Sequence, residues 1–99
     1  MSEPEADGLE TRRRRLLFRA THRGTHENDL LIGGFVAPRL AELTLADLDA
    51  LEAILEMPDV DLADFLTGRR PIPPESDSPM LRRILAATAE RAARGGVRY

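Results

Sequence analysis

The sequence predicts an all-α protein, a compact bundle of about five short helices. Apolar residues recur at helical spacing in successive segments, and no stretch shows the every-second-residue alternation of a half-buried strand. Capping and helix-breaking residues separate the segments, leaving connections of roughly two to eight residues. A chain of 99 residues forms at most one domain of this kind.

The first two predicted helices are separated by a glycine. Thr11 is a suitable N-cap for a helix over 12–21, which carries a short apolar stripe. Gly24 ends or interrupts this helix, because glycine tolerates the left-handed conformation of a helix C-cap. A second helical segment covers about 25–43, and Pro38 predicts a kink or break near Ala37–Pro38.

The third predicted helix has the clearest start. Thr44 and Asp47 form a capping-box-like pattern, in which the threonine oxygen accepts a bond from an early backbone N–H. Pro58 ends the helix. Its predicted apolar face consists of Leu45, Leu48, Leu51, Ile54 and Leu55.

Two further helices complete the predicted bundle. A short helix over about 59–67 is capped by Asp59 or Asp61 and stopped by Gly68. Ser78 is an N-cap followed by proline at the first helical position, which predicts a last helix over about 79–94.

The predicted domain organisation is an acidic leader over 1–10, expected to be disordered, a helical domain over 11–94 and a flexible tail over 95–99. The leader lacks the apolar core of a secretory signal, and no apolar run approaches the roughly 20 residues of a membrane span. Cysteine is absent. We therefore expect a cytoplasmic protein without membrane insertion.

Catalytic motifs are missing from the sequence. It contains no glycine-rich phosphate loop, no dinucleotide fingerprint and no Gly-x-Ser-x-Gly nucleophile elbow. We therefore expect a protein that is not an enzyme and has no catalytic residues. His22 and His26 have the spacing of two metal ligands on one helix face, but Gly24 lies between them, so no metal site is predicted.

Four consecutive arginines, 12–15, raise the alternative of nucleic-acid binding. On a helix they point in four directions, and aromatic residues suited to base stacking are scarce, with three Phe and one Tyr in the chain. The net charge of −3 exerts no global attraction for a polyanion. We expect a solvated helix start and no nucleic-acid partner, with an acidic protein surface as the second interpretation.

The run Arg23-Gly24-Thr25-His26-Glu27 is the candidate contact site. An arginine and a glutamate four residues apart can pair, and glycine between them lets another backbone come close. From the residues alone, two interpretations are about equally supported: a contact site, and an ordinary helix-linking turn that carries a surface ion pair.

In this run and its setting the sequence resembles the FAD assembly factors of succinate dehydrogenase and fumarate reductase, the SdhE family, or succinate dehydrogenase assembly factor 2 type. The hallmark Arg-Gly-x-x-Glu is matched by Arg23, Gly24 and Glu27. The similarity covers about 12–74. Its further elements, in order, are an Arg-rich opening helix, Glu27-Asn28-Asp29-Leu30-Leu31, Phe35, Leu43-Thr44, Pro58-Asp59, Phe65-Leu66-Thr67-Gly68 and Pro71–Pro73.

The resemblance implies a five-helix chaperone that binds the flavoprotein subunit of succinate dehydrogenase, fumarate reductase or both, and promotes covalent attachment of FAD to a histidine of that subunit. FAD would then belong to the client, and this chain would bind no cofactor stably. Arg23, Gly24 and Glu27 would contact the partner, Glu27 orienting Arg23 or a partner group, and Asn28 and Asp29 would support them. The alternative functions are a general, antitoxin-like regulatory module, a small nucleic-acid binder and, remotely, a metal-dependent hydrolase.

Overall fold

The helices begin and end where caps and breakers occur along the chain. The structure, a computed structural model, describes residues 5–94, with side chains from residue 8 onward. Its elements are α1 (Glu5–Thr21), α2 (His26–Val36), a 3₁₀ helix (Ala37–Glu42), α3 (Leu45–Leu55), α4 (Asp59–Thr67), a second 3₁₀ helix (Pro74–Ser76) and α5 (Pro79–Ala93).

The all-α prediction is confirmed, with five α-helices in the described residues. Helix α2 packs against α1, α4 and α5, while α3 packs against α1 and α5. The buried core draws on every α-helix, and its largest fully buried side chains include Phe35, Leu16, Leu31, Ile32, Leu48, Leu62 and Leu81. Within the described range, no helix is both long and apolar enough to cross a membrane.

Helix α1 begins earlier than predicted. It starts at Glu5, so the expected N-cap, Thr11, is an exposed residue in the helix interior. Leu9, which is partly buried, packs against the core, and the helix includes part of the segment predicted as a leader. Residues 1–4 and the predicted tail, 95–99, lie outside the described residues.

The predicted break beside Pro38 is confirmed, because α2 ends at Val36 and a 3₁₀ helix with proline in its first turn follows. The two glycines of α2 do not interrupt it. A Cβ on Gly33 would lie 2.7 Å from Thr21 Cγ2, and one on Gly34 would overlap the guanidinium of Arg91. These glycines therefore let α1 and α5 pack closely against α2.

The capping box of α3 is confirmed. Asp47 N donates to Thr44 Oγ1 over 3.1 Å, and Thr44 N donates to Asp47 Oδ2 over 3.0 Å. The bond from Thr44 N, together with the Thr44 hydroxyl and the guanidinium of Arg83, holds the pKa of Asp47 below its ordinary value. The predicted apolar face was wrong at Leu45, which is 52 % exposed because it lies in the first turn outside the core.

Removing the α3 cap tests its contribution. We expect Thr44→Ala to lower the free energy of unfolding by about 1 kcal/mol, because one amide of the first turn loses its acceptor. Urea unfolding at pH 7 measures the change, and Thr11→Ala is the matched control, expected within about 0.5 kcal/mol of the parent. Because the folded pKa of Asp47 is lowered, its share of the stability is present at neutral pH and is lost as pH falls through that pKa.

The ends of α4 and α5 agree with the sequence in part. Gly68 ends α4 in the left-handed conformation, with φ 81°, and Ser78 Oγ accepts from Leu81 N at the start of α5. The predicted capping of α4 by Asp59 or Asp61 was wrong, since the N-cap is Pro58 and makes no side-chain bond. The carboxylate of Asp59 bonds to groups from the first half of the chain instead.

Candidate functional site

The Arg-Gly-x-x-Glu motif lies at the turn between α1 and α2. Gly24 has φ 97°, a conformation that side-chain-bearing residues rarely adopt. It is exposed, and apart from Gly24 itself and its two chain neighbours no atom lies within 4 Å of the position a Cβ would take. Thr25 caps α2 by accepting a bond from Asn28 N. The turn thus presents backbone at the surface with room for another chain to approach.

Arg23 is committed to bonds within the protein. Its Nε donates to Asp59 Oδ1 over 2.6 Å, and its two terminal nitrogens donate to the carbonyls of Leu55 and Met57 over 2.9 and 2.8 Å. Only 10 % of the side chain is exposed. The planar guanidinium with its several fixed donors suits this three-acceptor arrangement. Arg23 therefore fastens the α1–α2 turn to the α3–α4 connection.

Asn28 and Asp29 belong to the same cluster. Asn28 is fully buried, and its Nδ2 donates to the carbonyl and carboxylate of Asp59 over 2.9 and 3.2 Å. Asp29 Oδ1 accepts a bond from Arg23 N over 2.8 Å. Asp59 is thus bonded by two residues of the predicted site, and the cluster fixes the conformation of the turn.

The pairing of Arg23 with Glu27, expected from their spacing, is not formed. Glu27 lies on α2 beyond the turn, and its carboxylate pairs with Arg69 over 3.3 Å. Arg69 also bonds Asp64, whose pKa is lowered by Arg69 and then by Arg70. Residues 22–25 are not helical, in agreement with the break predicted at Gly24, so Arg23 and Glu27 do not share one helix face.

The two histidines lie on either side of the turn and do not form a shared site. His22 stacks on Phe18 with ring centroids 4.0 Å apart, and its Nδ1 lies 2.9 Å from the Phe18 carbonyl oxygen. His26 is exposed at the start of α2. Among the residues whose side chains are described, no three of His, Cys, Asp and Glu are grouped to hold a metal ion.

Comparison with known proteins decides the family. The family model described as flavinator of succinate dehydrogenase matches residues 14–88, a stretch that contains the whole motif cluster. The chain belongs to the succinate dehydrogenase flavinator family.

Curated relatives of this chain include a bacterial protein and mitochondrial proteins. It is similar to an FAD assembly factor SdhE of Acetobacter pasteurianus, with 53 % identity over 91 % of this chain and 81 % of that protein. It is also similar to mitochondrial succinate dehydrogenase assembly factor 2 of Mycosarcoma maydis, 38 % identical over 70 % of this chain, and of Dictyostelium discoideum, 30 % identical over 81 %. The chain spans 29 % and 57 % of the lengths of these two proteins.

Two residues of the motif's environment were not predicted from the sequence. Asp59, the central acceptor for Arg23 and Asn28, was interpreted as a helix cap because it follows Pro58 at a helix start. Arg69, the partner of Glu27, follows it by 42 residues and gave no local signal. For Asp59 the recurring Pro58-Asp59 element of the resemblance was a usable signal, since a cap alone does not specify aspartate.

Proposed function

We propose that the chain binds the flavoprotein subunit of succinate dehydrogenase and promotes covalent attachment of FAD to that subunit. Membership of the flavinator family supports this proposal. In it the chain is a chaperone without catalytic residues, FAD belongs to the client, and both proteins meet in the cytoplasm of a bacterial cell. The flavoprotein subunit of fumarate reductase is included as a second client because of the sequence resemblance alone.

The observation that best supports the proposal is that the α1–α2 turn is exposed on one side and held by hydrogen bonds on the other. Gly24 is open to an approaching backbone, while Arg23 and Asn28 tie the turn to Asp59 beneath it. A turn fixed in this way loses little conformational freedom when a partner binds. By binding one arrangement of the flavoprotein more tightly than others, the chain favours that arrangement.

In this proposal the motif residues have different roles. Gly24 provides the contact surface, and Arg23 positions it from inside the protein. Glu27 is one-third exposed beside Arg69, so it can bond a partner group at the edge of the same surface. Thr25 and His26, both exposed, lie between them and adjoin the contact.

Adding a side chain at Gly24 tests the contact. We expect Gly24→Val to reduce covalent flavin on the co-expressed flavoprotein to below about one tenth, since a hot-spot loss of about 2 kcal/mol weakens binding roughly thirtyfold. Flavin fluorescence of the subunit in a denaturing gel measures the product, in a host that lacks its own assembly factor.

Gly68→Val is the matched control. Gly68 also has a positive φ, 81°, and also has no atom within 4 Å of its Cβ position, so the backbone strain is similar at both sites. That strain is about 1–2 kcal/mol. The control should keep most of the flavin signal. Equal signals from folded Gly24→Val and the parent would contradict the role of this turn.

A further inference from the structure

One face of α1 carries side chains that no other element covers. On a helix of about 3.6 residues per turn, positions 14, 15, 18 and 22 fall within an arc of about 100°. Arg14, Arg15, Phe18 and His22 are all exposed, whereas Leu16 on the opposite side is buried in the core. We call these four residues the α1 outer face.

Among the described side chains, the arginines of α1 that make no ion pair lie on this face. The other three arginines of the helix are satisfied by the bundle. Arg12 pairs with Asp49 and Glu52, Arg19 pairs with Glu52 and Glu56, and Arg13 donates to the carbonyl of Leu43. Within residues 8–94, Arg14 and Arg15 make neither an ion pair nor a side-chain hydrogen bond. With respect to the described side chains, these two guanidiniums are therefore available to the carboxylates of a partner.

An aromatic pair lies next to these arginines. Phe18 is 60 % exposed, one of three large hydrophobic side chains with such exposure in the described residues. Its ring is stacked against His22, whose Nδ1 lies within hydrogen-bonding distance of the Phe18 carbonyl, so both rings have a defined orientation. An exposed, oriented aromatic beside unpaired arginines is typical of the anchor residues of protein interfaces.

The α1 outer face is continuous with the motif turn. His22 directly precedes Arg23, and Gly24, Thr25 and His26 are exposed on the other side of it. We propose that the α1 outer face docks on the same flavoprotein as the turn, at an acidic surface with an apolar recess that receives Phe18. The identity of the partner rests on the proposed function, but the chemistry of the surface rests on the α1 outer face itself.

The charges around the face favour a folded protein over a polyanion. Asp49, Glu52 and Glu56 lie along the neighbouring edge, where they pair with arginines on the flank of α1. The whole chain has a net charge of −3. A chain of this net charge exerts no global attraction on duplex DNA, which carries one negative charge per about 1.7 Å. Two arginines suit discrete carboxylates on a protein surface, whereas anionic membranes are recognised by clusters of about four to eight.

Charge reversal tests the proposal in the complete chain. We expect Arg14→Glu/Arg15→Glu to bind the purified flavoprotein subunit at least about tenfold more weakly, mainly through slower association. The Kd of the parent should rise between about 50 and about 300 mM NaCl, and that of the variant should change much less. Arg82→Glu/Arg94→Glu is the control, because it makes the same change in net charge at exposed positions of α5 and its C-cap.

The outcomes separate this proposal from the proposed function. Weaker binding by Arg14→Glu/Arg15→Glu, together with parent-like binding by the control, supports docking through the α1 outer face. Parent-like binding by that variant, or equal weakening in the control, overturns the docking site and leaves the proposed function standing. The docking site is also overturned, and the proposed function left standing, if the parent binds a DNA duplex through these arginines while the variant still binds the flavoprotein normally. A parent that fails to bind the flavoprotein at all overturns both.

Discussion

Replacing Arg23 by alanine is expected to lower the free energy of unfolding by about 2–4 kcal/mol. The change removes the donors to the Asp59 carboxylate and to the carbonyls of Leu55 and Met57. It leaves a carboxylate that is only 30 % exposed without its cation. The cost exceeds that of a surface ion pair because the acceptors cannot all turn to water.

Urea unfolding followed by circular dichroism measures this loss, and three further variants define its origin. Arg82→Ala removes an exposed pair with Asp77 and should change the stability by less than about 1 kcal/mol. Arg23→Lys keeps the charge but cannot reach three acceptors with one ammonium group, so an intermediate loss is expected. In a double-mutant cycle, Asp59→Ala should couple to Arg23→Ala by more than about 0.5 kcal/mol.

The same variant distinguishes two roles for Arg23. If the guanidinium acts within the protein, Arg23→Ala should lose stability and covalent flavin together, because the turn that carries Gly24 is released. If the guanidinium contacts the partner directly, binding should fall while the unfolding midpoint stays at the parent value. The second result would contradict the positioning role given to Arg23 by its three internal bonds.

Local signals were sufficient for most helix ends. The cap at Thr44, the left-handed Gly68 and the serine–proline start of α5 each depend on residues within four positions, so sequence spacing specifies them. The start of α1 was missed, and the one core contact described near it, that of the partly buried Leu9, is a tertiary contact. Burial of that kind has no signature in a segment that otherwise looks polar and acidic.

The interior of the site could not be predicted from spacing. Arg23 and Asp59 are 36 residues apart, and their contact depends on tertiary packing in which α2 contacts both α1 and α4. The family resemblance identified Arg23 as important but implied a contact with the partner. The structure instead gives its guanidinium three acceptors inside the chain. The exposed members of the motif, Gly24 and Glu27, remain predicted partner contacts.

The four consecutive arginines illustrate the same limit. Their helical spacing predicts that they point in different directions but does not specify which of them meet carboxylates. The structure pairs Arg12 with α3 and leaves Arg14 and Arg15 outward. The difference arises from where α3 packs, because its acidic side chains reach only one flank of α1.

Of two phenylalanine-to-alanine changes, the one at the buried phenylalanine of α2 should lower the free energy of unfolding more. Phe35 is 2 % exposed in the core, with the guanidinium of Arg39 4.3 Å from its ring centroid. We expect Phe35→Ala to lower the free energy of unfolding by about 3–5 kcal/mol, because it removes buried area and leaves a cavity. Phe18→Ala makes the same chemical change on an exposed ring and should cost less than about 1 kcal/mol.

In binding of the folded protein to the flavoprotein, the order of the two effects should be reversed. Phe18→Ala removes the proposed anchor of the α1 outer face, so its complex should dissociate faster while its unfolding midpoint barely moves. Phe35→Ala, measured below its lowered midpoint, should bind with nearly the parent Kd, since Phe35 presents almost no surface to a partner. Parent-like dissociation of Phe18→Ala would show that the exposed ring is not an anchor. A stability loss below about 1 kcal/mol for Phe35→Ala would contradict its place in the core.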